Sequence, residues 1–174
     1  IKIYFFVGNH DYWMNDYFKK ELGIKVFKNP EVFVFNSKSF FIGHGDGLGP
    51  DDKGYKRMKL ILSNPFFIWL FRLIHPDIGI SLGKYFSQKN KLISGEKDVD
   101  FKGEDNEWLI RYSKKKLTED HIDYFIFGHR HFPIVHQLKS KSKYINLGDW
   151  ITHFTFGVFD GKTFKLRNYL KKND

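Results

Sequence analysis

Three times in this chain an aromatic-rich apolar run ends on a glycine followed at once by imidazole or amide side chains, and that recurrence limits the fold more than any other feature. The runs are residues 1–7 before Gly8-Asn9-His10-Asp11, Ser39-Phe40-Phe41-Ile42 before Gly43-His44-Gly45-Asp46, and Tyr124-Phe125-Ile126-Phe127 before Gly128-His129-Arg130-His131. Short continuous apolar runs read as buried strands. Solvated turns select Gly, Asn, Asp and Ser and rarely imidazoles, so loops of this composition at strand ends are unlike ordinary turns. Strand ends on one edge of a sheet bring such loops into a single cleft although they are distant in sequence. The glycine before each motif is expected to let the backbone turn sharply and approach a bound ion.

The remaining pattern is α/β. A short helix is expected from about Asn15, with Tyr17, Phe18 and Leu22 on one side and Gly23 at its C-cap. Residues 32–35 and 39–42 flank Asn36-Ser37-Lys38 and read as a hairpin. Residues 50–103 differ in texture: a helix over 54–62, a second over 65–74 with Pro65 in its first turn, then a looser Gly/Ser/Lys-rich stretch over 81–103. This segment reads as an insertion. Regular structure resumes with a helix over 104–117, then strands over 124–127, 134–138, 144–147, 152–159 and 163–170, with Asp160-Gly161 as a turn. Alternation in the late strands favours sheets with one wet face or one face against another sheet, rather than a fully wrapped parallel sheet.

Composition narrows the chemistry. There is no cysteine among 174 residues, which excludes disulfides, thiolate metal ligation and thiol catalysis. The longest oily stretch, 60–71, is broken by Ser63-Asn64-Pro65 and falls short of the roughly 20 residues a membrane span requires. The formal charge of +9 admits nucleic acid as a partner. The lysine clusters at 114–116 and at 139, 141 and 143 lie in helix-surface and hairpin contexts, where such residues solvate; nucleic acid is therefore not the expected partner.

What the three loops share is suited to a divalent metal: neutral imidazoles at His44, His129 and His131 and the amide oxygen of Asn9. In an extended segment, His129 and His131, two residues apart, point the same way. Manganese suits this donor set, with iron or zinc open. Negative charge is scarce, because two ions about 3.5–4 Å apart normally share a carboxylate. His75, His121, His136 and His153 read as structural or surface residues, with a place close to the cleft left open for His136, which lies in the strand leaving the third loop. Residues 146–150 read either as a plain turn or as a lining of the cleft.

The order of Gly-Asn-His-Asp, Gly-His-Gly-Asp and Gly-His-Arg-His resembles the last three metal motifs of the calcineurin-like metallophosphoesterase superfamily. That resemblance implies a β-sandwich flanked by helices, with a two-metal centre. It covers the C-terminal two-thirds or so of such a domain, across residues 1–174, and places two further motifs, Asp-x-His and Gly-Asp, upstream of Ile1. It further implies that Asn9, His44 and His129 bind the second ion and His131 the first. His10 would contact the phosphoryl oxygen or leaving group, and Asp11 would orient it.

A narrower resemblance, carried by Gly45-Asp46-Gly47, Asp51-Asp52-Lys53-Gly54-Tyr55, the helical insertion at 50–103 and Gly128–Pro133, is to the UDP-2,3-diacylglucosamine pyrophosphohydrolases of lipid A biosynthesis. It implies a helical lid over acyl chains, Asp52 and Tyr55 beside the sugar, and basic residues among Lys84, Lys89 and Lys91 at the diphosphate. The expected reaction yields UMP and the lipid sugar 1-phosphate, and the expected location is cytoplasmic with peripheral contact to the inner membrane. His10 stands where several members of that family carry arginine, so a general phosphodiesterase or nuclease of the same superfamily, or a non-catalytic scaffold, stays open.

Overall fold

In a computed structural model of the chain, the structure describes residues 1–14, 16–49, 53–94, 101 and 103–171. At its centre lies a five-stranded sheet built from β3 (Glu31–Phe35), β4 (Lys38–Gly43), β5 (Tyr124–Phe127), β7 (Lys143–Leu147) and β6 (Pro133–Gln137), in that spatial order. The β3–β4 pair is the expected hairpin, and its turn works because Asn36 and Ser37 accept left-handed φ values of 46° and 62°. Strands β4, β5 and β7 run parallel, with Phe41 opposite Phe125 and Phe125 opposite Tyr144. Their C-terminal ends therefore share one edge, and the loops carrying His44 and His129 leave from it.

Because side chains alternate along a strand, this register creates two apolar faces. Phe41, Phe125, Phe127 and Tyr144 face one way and pack against Leu109 and Ile110 of α5 (Trp108–Lys116). Phe40, Tyr124, Ile126 and Ile145 face the other way and meet Phe159, Phe164 and Leu166. Those three belong to the antiparallel pair β8 (Thr155–Phe159) and β9 (Phe164–Asn168). Strand β5 is buried at all four positions, as its unbroken Tyr-Phe-Ile-Phe run requires. The result is a mixed α/β fold in which helix and strand layers cover opposite faces of the sheet.

The first strand departs from expectation. Only Tyr4–Phe6 form β1, which pairs in parallel with an unanticipated β2 (Lys25–Phe27). Ile3 and Tyr4 are 57 % and 42 % exposed, so the run is not buried throughout. It reaches the main sheet through aromatic contacts, Tyr4 and Phe27 lying 5.5 Å and 5.6 Å from Phe33 by ring centroid. The short helix α1 (Tyr17–Lys20) packs Phe18 edge-on against Phe5; its C-cap is Glu21 rather than the expected Gly23, which lies two residues further on and turns the chain with φ 62°.

Between β4 and α5 lie α2 (Lys53–Leu62), α3 (Pro65–Arg72) and α4 (Pro76–Ser94). Asn64 caps α3 by accepting the Phe66 amide at 2.8 Å, with Pro65 in the first turn. The stretch expected to be loose from residue 81 is helical as far as Ser94. Pro76 starts that helix, and Gly79 sits where an added Cβ would lie 3.3 Å from the Phe71 ring. That glycine is thus a contact between helices rather than a breaker. Helix α5 begins at Trp108 instead of residue 104 because Glu107, its N-cap residue, turns inward to an arginine. Among the described residues no helix is long and apolar enough to cross a membrane.

Candidate metal centre

The Gly8 loop is closed by Asp11, whose carboxylate accepts the Gly8 amide at 3.1 Å while its own amide donates to the Gly8 carbonyl at 3.0 Å. This ring presents Asn9 toward the His44 loop. Gly8 is required there by contact rather than by dihedral: a Cβ would come within 2.9 Å of the His44 ring. The expectation that the leading glycines supply the sharp turns is corrected, since none of Gly8, Gly43 and Gly128 adopts positive φ. Gly45, Gly47, His129 and His131 do, at 111°, 68°, 61° and 53°.

Asn9 Oδ1 lies 3.0 Å from His44 Nε2, and the same Nε2 lies 3.3 Å from His129 Nδ1. One imidazole nitrogen carries either one proton or one lone pair, so it satisfies one of these neighbours and not both. Two polar atoms at 3.0 Å and 3.3 Å from a third in this way are instead spaced like ligand atoms around a common cation, with bonds of about 2.0–2.2 Å. Burial lowers the basicity of His44, and burial together with the neighbouring His44 brings the His129 pKa down to about 4. Both rings are therefore neutral at pH 7, the form that ligates a metal. The amide and the two imidazoles fit a divalent ion.

His131 is not brought into this trio. It stands exposed on the loop, and among the described residues no three histidine, aspartate or glutamate side chains gather as a metal cage. The segment is not extended either. Arg130 dives between the two histidines and, buried, binds Glu107 through two bonds, Nη2 to Oε1 at 2.8 Å and Nε to Oε2 at 3.1 Å. That bidentate pair and the two left-handed histidines flanking it fix the shape of the loop. From below, Asn146 donates to the Gly128 carbonyl and accepts the Gly148 amide at 3.2 Å. Residue 146 thus supports the metal loop rather than lining the cleft. Neither buried role was read from the sequence; the signal available for Arg130 was a charged residue wedged between two histidines after a fully apolar strand.

Of the other expected site residues, His10 is exposed beside Asn9, and the Asp11 carboxylate is placed on the Gly8 amide. Tyr55 sits on α2 facing the cleft, 6.3 Å from the His129 ring by centroid, with its hydroxyl 3.1 Å from Asp46 and 2.8 Å from Tyr12. Lys84 is exposed on α4. Lys91 belongs to the same helix, while the side chains of Lys89 and Lys91, and all of Asp52, lie outside the described residues. The four histidines set aside as structural each face a carboxylate at 3.4–3.7 Å: His75 with Asp77, His121 with Asp123, His136 with Glu104, His153 with Asp149.

A cavity of about 200 Å³ opens beside His44, bordered by Phe6, Phe27, Lys28, Asp46 and Lys59. Asp46 is 5 % exposed. Burial opposes its charge, yet bonds from Lys59 and Tyr12 outweigh that and hold its carboxyl below the usual range.

A sheet whose parallel strand ends deliver two neutral imidazoles to a point that the loop after β1 meets with an amide, with a helix layer on one face and a strand layer on the other, is of the metallophosphoesterase type. No protein-family model matches the chain. It is 34 % identical over 97 % of its length to the UDP-2,3-diacylglucosamine hydrolase of Porphyromonas gingivalis, covering 69 % of that protein. The same-named proteins of Aliivibrio fischeri and Pseudomonas fluorescens are 27 % and 26 % identical over 95 % and 86 % of the chain, which covers 68 % and 59 % of them. The chain belongs to the UDP-2,3-diacylglucosamine hydrolase family, whose enzymes are metal-dependent hydrolases, and it spans from 59 % to 69 % of the length of these relatives.

Proposed function

We propose that this chain forms part of a two-metal hydrolase that cleaves the diphosphate of UDP-2,3-diacylglucosamine to UMP and the lipid sugar 1-phosphate. One observation carries the reading: Asn9 Oδ1 and His129 Nδ1 lie 3.0 Å and 3.3 Å from the same atom, His44 Nε2, with both imidazoles neutral. The substrate is supported by the name that the three relatives share.

In this reading Asn9, His44 and His129 hold one divalent ion and His131 contributes to a second, manganese being favoured by the nitrogen and oxygen donors. The chemistry that such ions supply when bound is charge neutralisation at the phosphoryl oxygens and a nucleophile at neutral pH. The carboxylates needed between two ions are proposed to lie outside these 174 residues. His10, exposed at the rim, donates a hydrogen bond to the leaving side, and Asp11 holds its loop by fastening Gly8. This reading assigns Tyr55, Asp52, Lys84 and Lys91 to the sugar and diphosphate. Phe66, Phe67, Trp69, Leu70 and Leu73 on and just beyond α3 are all at least 43 % exposed. They offer acyl chains an apolar surface, each buried CH₂ contributing roughly 0.8 kcal/mol. Arg57, Lys84 and other basic residues of the insertion favour peripheral contact with an anionic membrane on the cytoplasmic side.

The test is turnover by the full-length protein with Mn²⁺, comparing UDP-2,3-diacylglucosamine, bis-p-nitrophenyl phosphate and single-stranded DNA. Release of UMP from the first, lost in His129→Ala, is expected. Faster cleavage of DNA than of the nucleotide lipid contradicts the reading.

A further inference from the structure

The helical insertion and the metal loops meet at one buried carboxylate. Asp46 Oδ2 accepts the Tyr12 hydroxyl at 2.6 Å, the Tyr55 hydroxyl at 3.1 Å and Lys59 Nζ at 2.8 Å. Those partners come from two places. Tyr12 directly follows the Asn9-His10-Asp11 loop, and Tyr55 and Lys59 are one helical turn apart on α2. Asp46 itself ends the segment that starts with His44. The two tyrosine hydroxyls lie 2.8 Å from each other, and Lys59 Nζ stands 5.5 Å over the Tyr12 ring.

Neighbouring bonds repeat the connection. Trp13 Nε1 donates to the Leu62 carbonyl at 2.6 Å and its ring lies 4.6 Å from that of Phe71 on α3. Lys56 Nζ donates to the Gly49 carbonyl at 2.7 Å. The residues just after each of two metal loops thus grip the same helices. A carboxylate this buried is costly to leave partly bonded, so its three donors are held together as a unit.

We propose that Asp46, with Tyr12, Tyr55 and Lys59, is a latch that couples the position of the helical insertion to the Asn9 and His44 loops. Asp46 and Tyr12 are thus positioning residues that set how well an acylated substrate is seated over the metal centre. The kinetic part rests on the hydrolase reading above; the mechanical part does not. When the latch is intact, the insertion and both loops move as one body. When it is cut, α2 and α3 loosen together with residues 12–14, and affinity for a substrate that must touch the insertion falls first.

The test uses the full-length protein and Tyr12→Phe, which removes one hydroxyl and keeps the ring, beside Lys59→Met and Asp46→Asn. Hydrogen exchange followed by mass spectrometry is expected to show amides of 53–74 and of 12–14 exchanging about tenfold faster in all three, with β5 and β7 unchanged. In Tyr12→Phe, KM for UDP-2,3-diacylglucosamine is expected to rise about tenfold with kcat within threefold of the unsubstituted protein. KM and kcat for bis-p-nitrophenyl phosphate, which has no acyl chains, are expected to stay within twofold. Faster exchange in only one of the two segments overturns the latch, as does an equal loss on both substrates. If the unsubstituted protein turns over neither substrate, the hydrolase reading fails, and the exchange pattern still decides the latch.

Discussion

The loops at the sheet edge and the helical insertion are built on opposite principles. Around His44 and His129 the polar groups are paired below the surface: Arg130 with Glu107, Asn146 with Gly128, Asp11 with Gly8. The apolar residues beneath them, Phe125, Phe127 and Tyr144, are fully buried. In α3 and α4 the reverse holds, with Phe66, Trp69, Ile78 and Tyr85 all more than half exposed. A metal centre requires donors held in place before the ion arrives, whereas a surface for flexible chains keeps its apolar area open until a ligand covers it. On the proposed reading, the first part determines the chemistry and the second what is bound.

The sharpest way to break that division is at His129. In the full-length protein, His129→Ala is expected to lower kcat/KM for UDP-2,3-diacylglucosamine by about 10³-fold or more, because it removes a donor to the ion. Its urea midpoint is expected to stay close to that of the unsubstituted protein. Activity within tenfold of normal contradicts the ligand assignment.

The supporting pair sharpens the same contrast. Arg130→Met leaves Glu107 buried without its bidentate partner, a change that costs about 3–5 kcal/mol, and chemical denaturation measures it directly. Loss of the left-handed turns at His129 and His131 accompanies it, so Mn²⁺ affinity by calorimetry is expected to fall as well. A stability change below 1 kcal/mol would show that the clamp is ornamental.

On the insertion, the expected consequences are reversed. Trp69→Ser replaces a residue that is 54 % exposed, and folding stability is expected to change by no more than ~0.5–1 kcal/mol. KM for the diacylated substrate is expected to rise several-fold, and bis-p-nitrophenyl phosphate kinetics to stay as they were. Equal effects on both substrates would assign α3 to the core instead.

The smallest effect concerns pH. His129 titrates at about 4 when folded, against 6.5 for the unperturbed group, because it is buried beside His44. Above pH 6.5 the ring is neutral in both states and contributes no pH dependence. As the pH falls from 6.5 toward 4, the unfolded chain takes up a proton that the folded chain resists, so metal-free protein loses stability across that window. The slope is at most about 1.4 kcal/mol per unit, and thermal melts at pH 7, 6 and 5 in chelator measure it. In His129→Gln the part of the decline due to this ring is expected to vanish.

Much of this architecture was legible in the chain. Tyr124–Phe127 announces a buried strand because four consecutive large apolar residues have no other stable place, and Asn36-Ser37 announces its hairpin through tolerance of left-handed φ. Asn9, His44 and His129 were legible as a set because each follows an apolar strand. Strand β2 was missed because three residues, one of them Lys25, carry no periodicity of their own and are ordered by Phe33 from across the layer. Helix α4 was hidden by the low helix preference of Gly79 and Gly83; Gly79 leaves room for the Phe71 ring, whereas no contact among the described residues requires Gly83. The Glu107–Arg130 clamp and the Asp46 latch join residues that are far apart in sequence, and nothing in the spacing of a charged residue says which distant partner will bury it. His131 was read from an alternation that Arg130, by turning inward, removes.

The central claim is that Asn9, His44 and His129 meet at a divalent ion. A crystal structure of the full-length protein grown with Mn²⁺, with anomalous data collected at the manganese edge, tests it most directly. The account predicts a peak bonded to Asn9 Oδ1, His44 Nε2 and His129 Nδ1 at once. A peak elsewhere, with Asn9 Oδ1 and His129 Nδ1 still in direct contact with His44 Nε2, would contradict it.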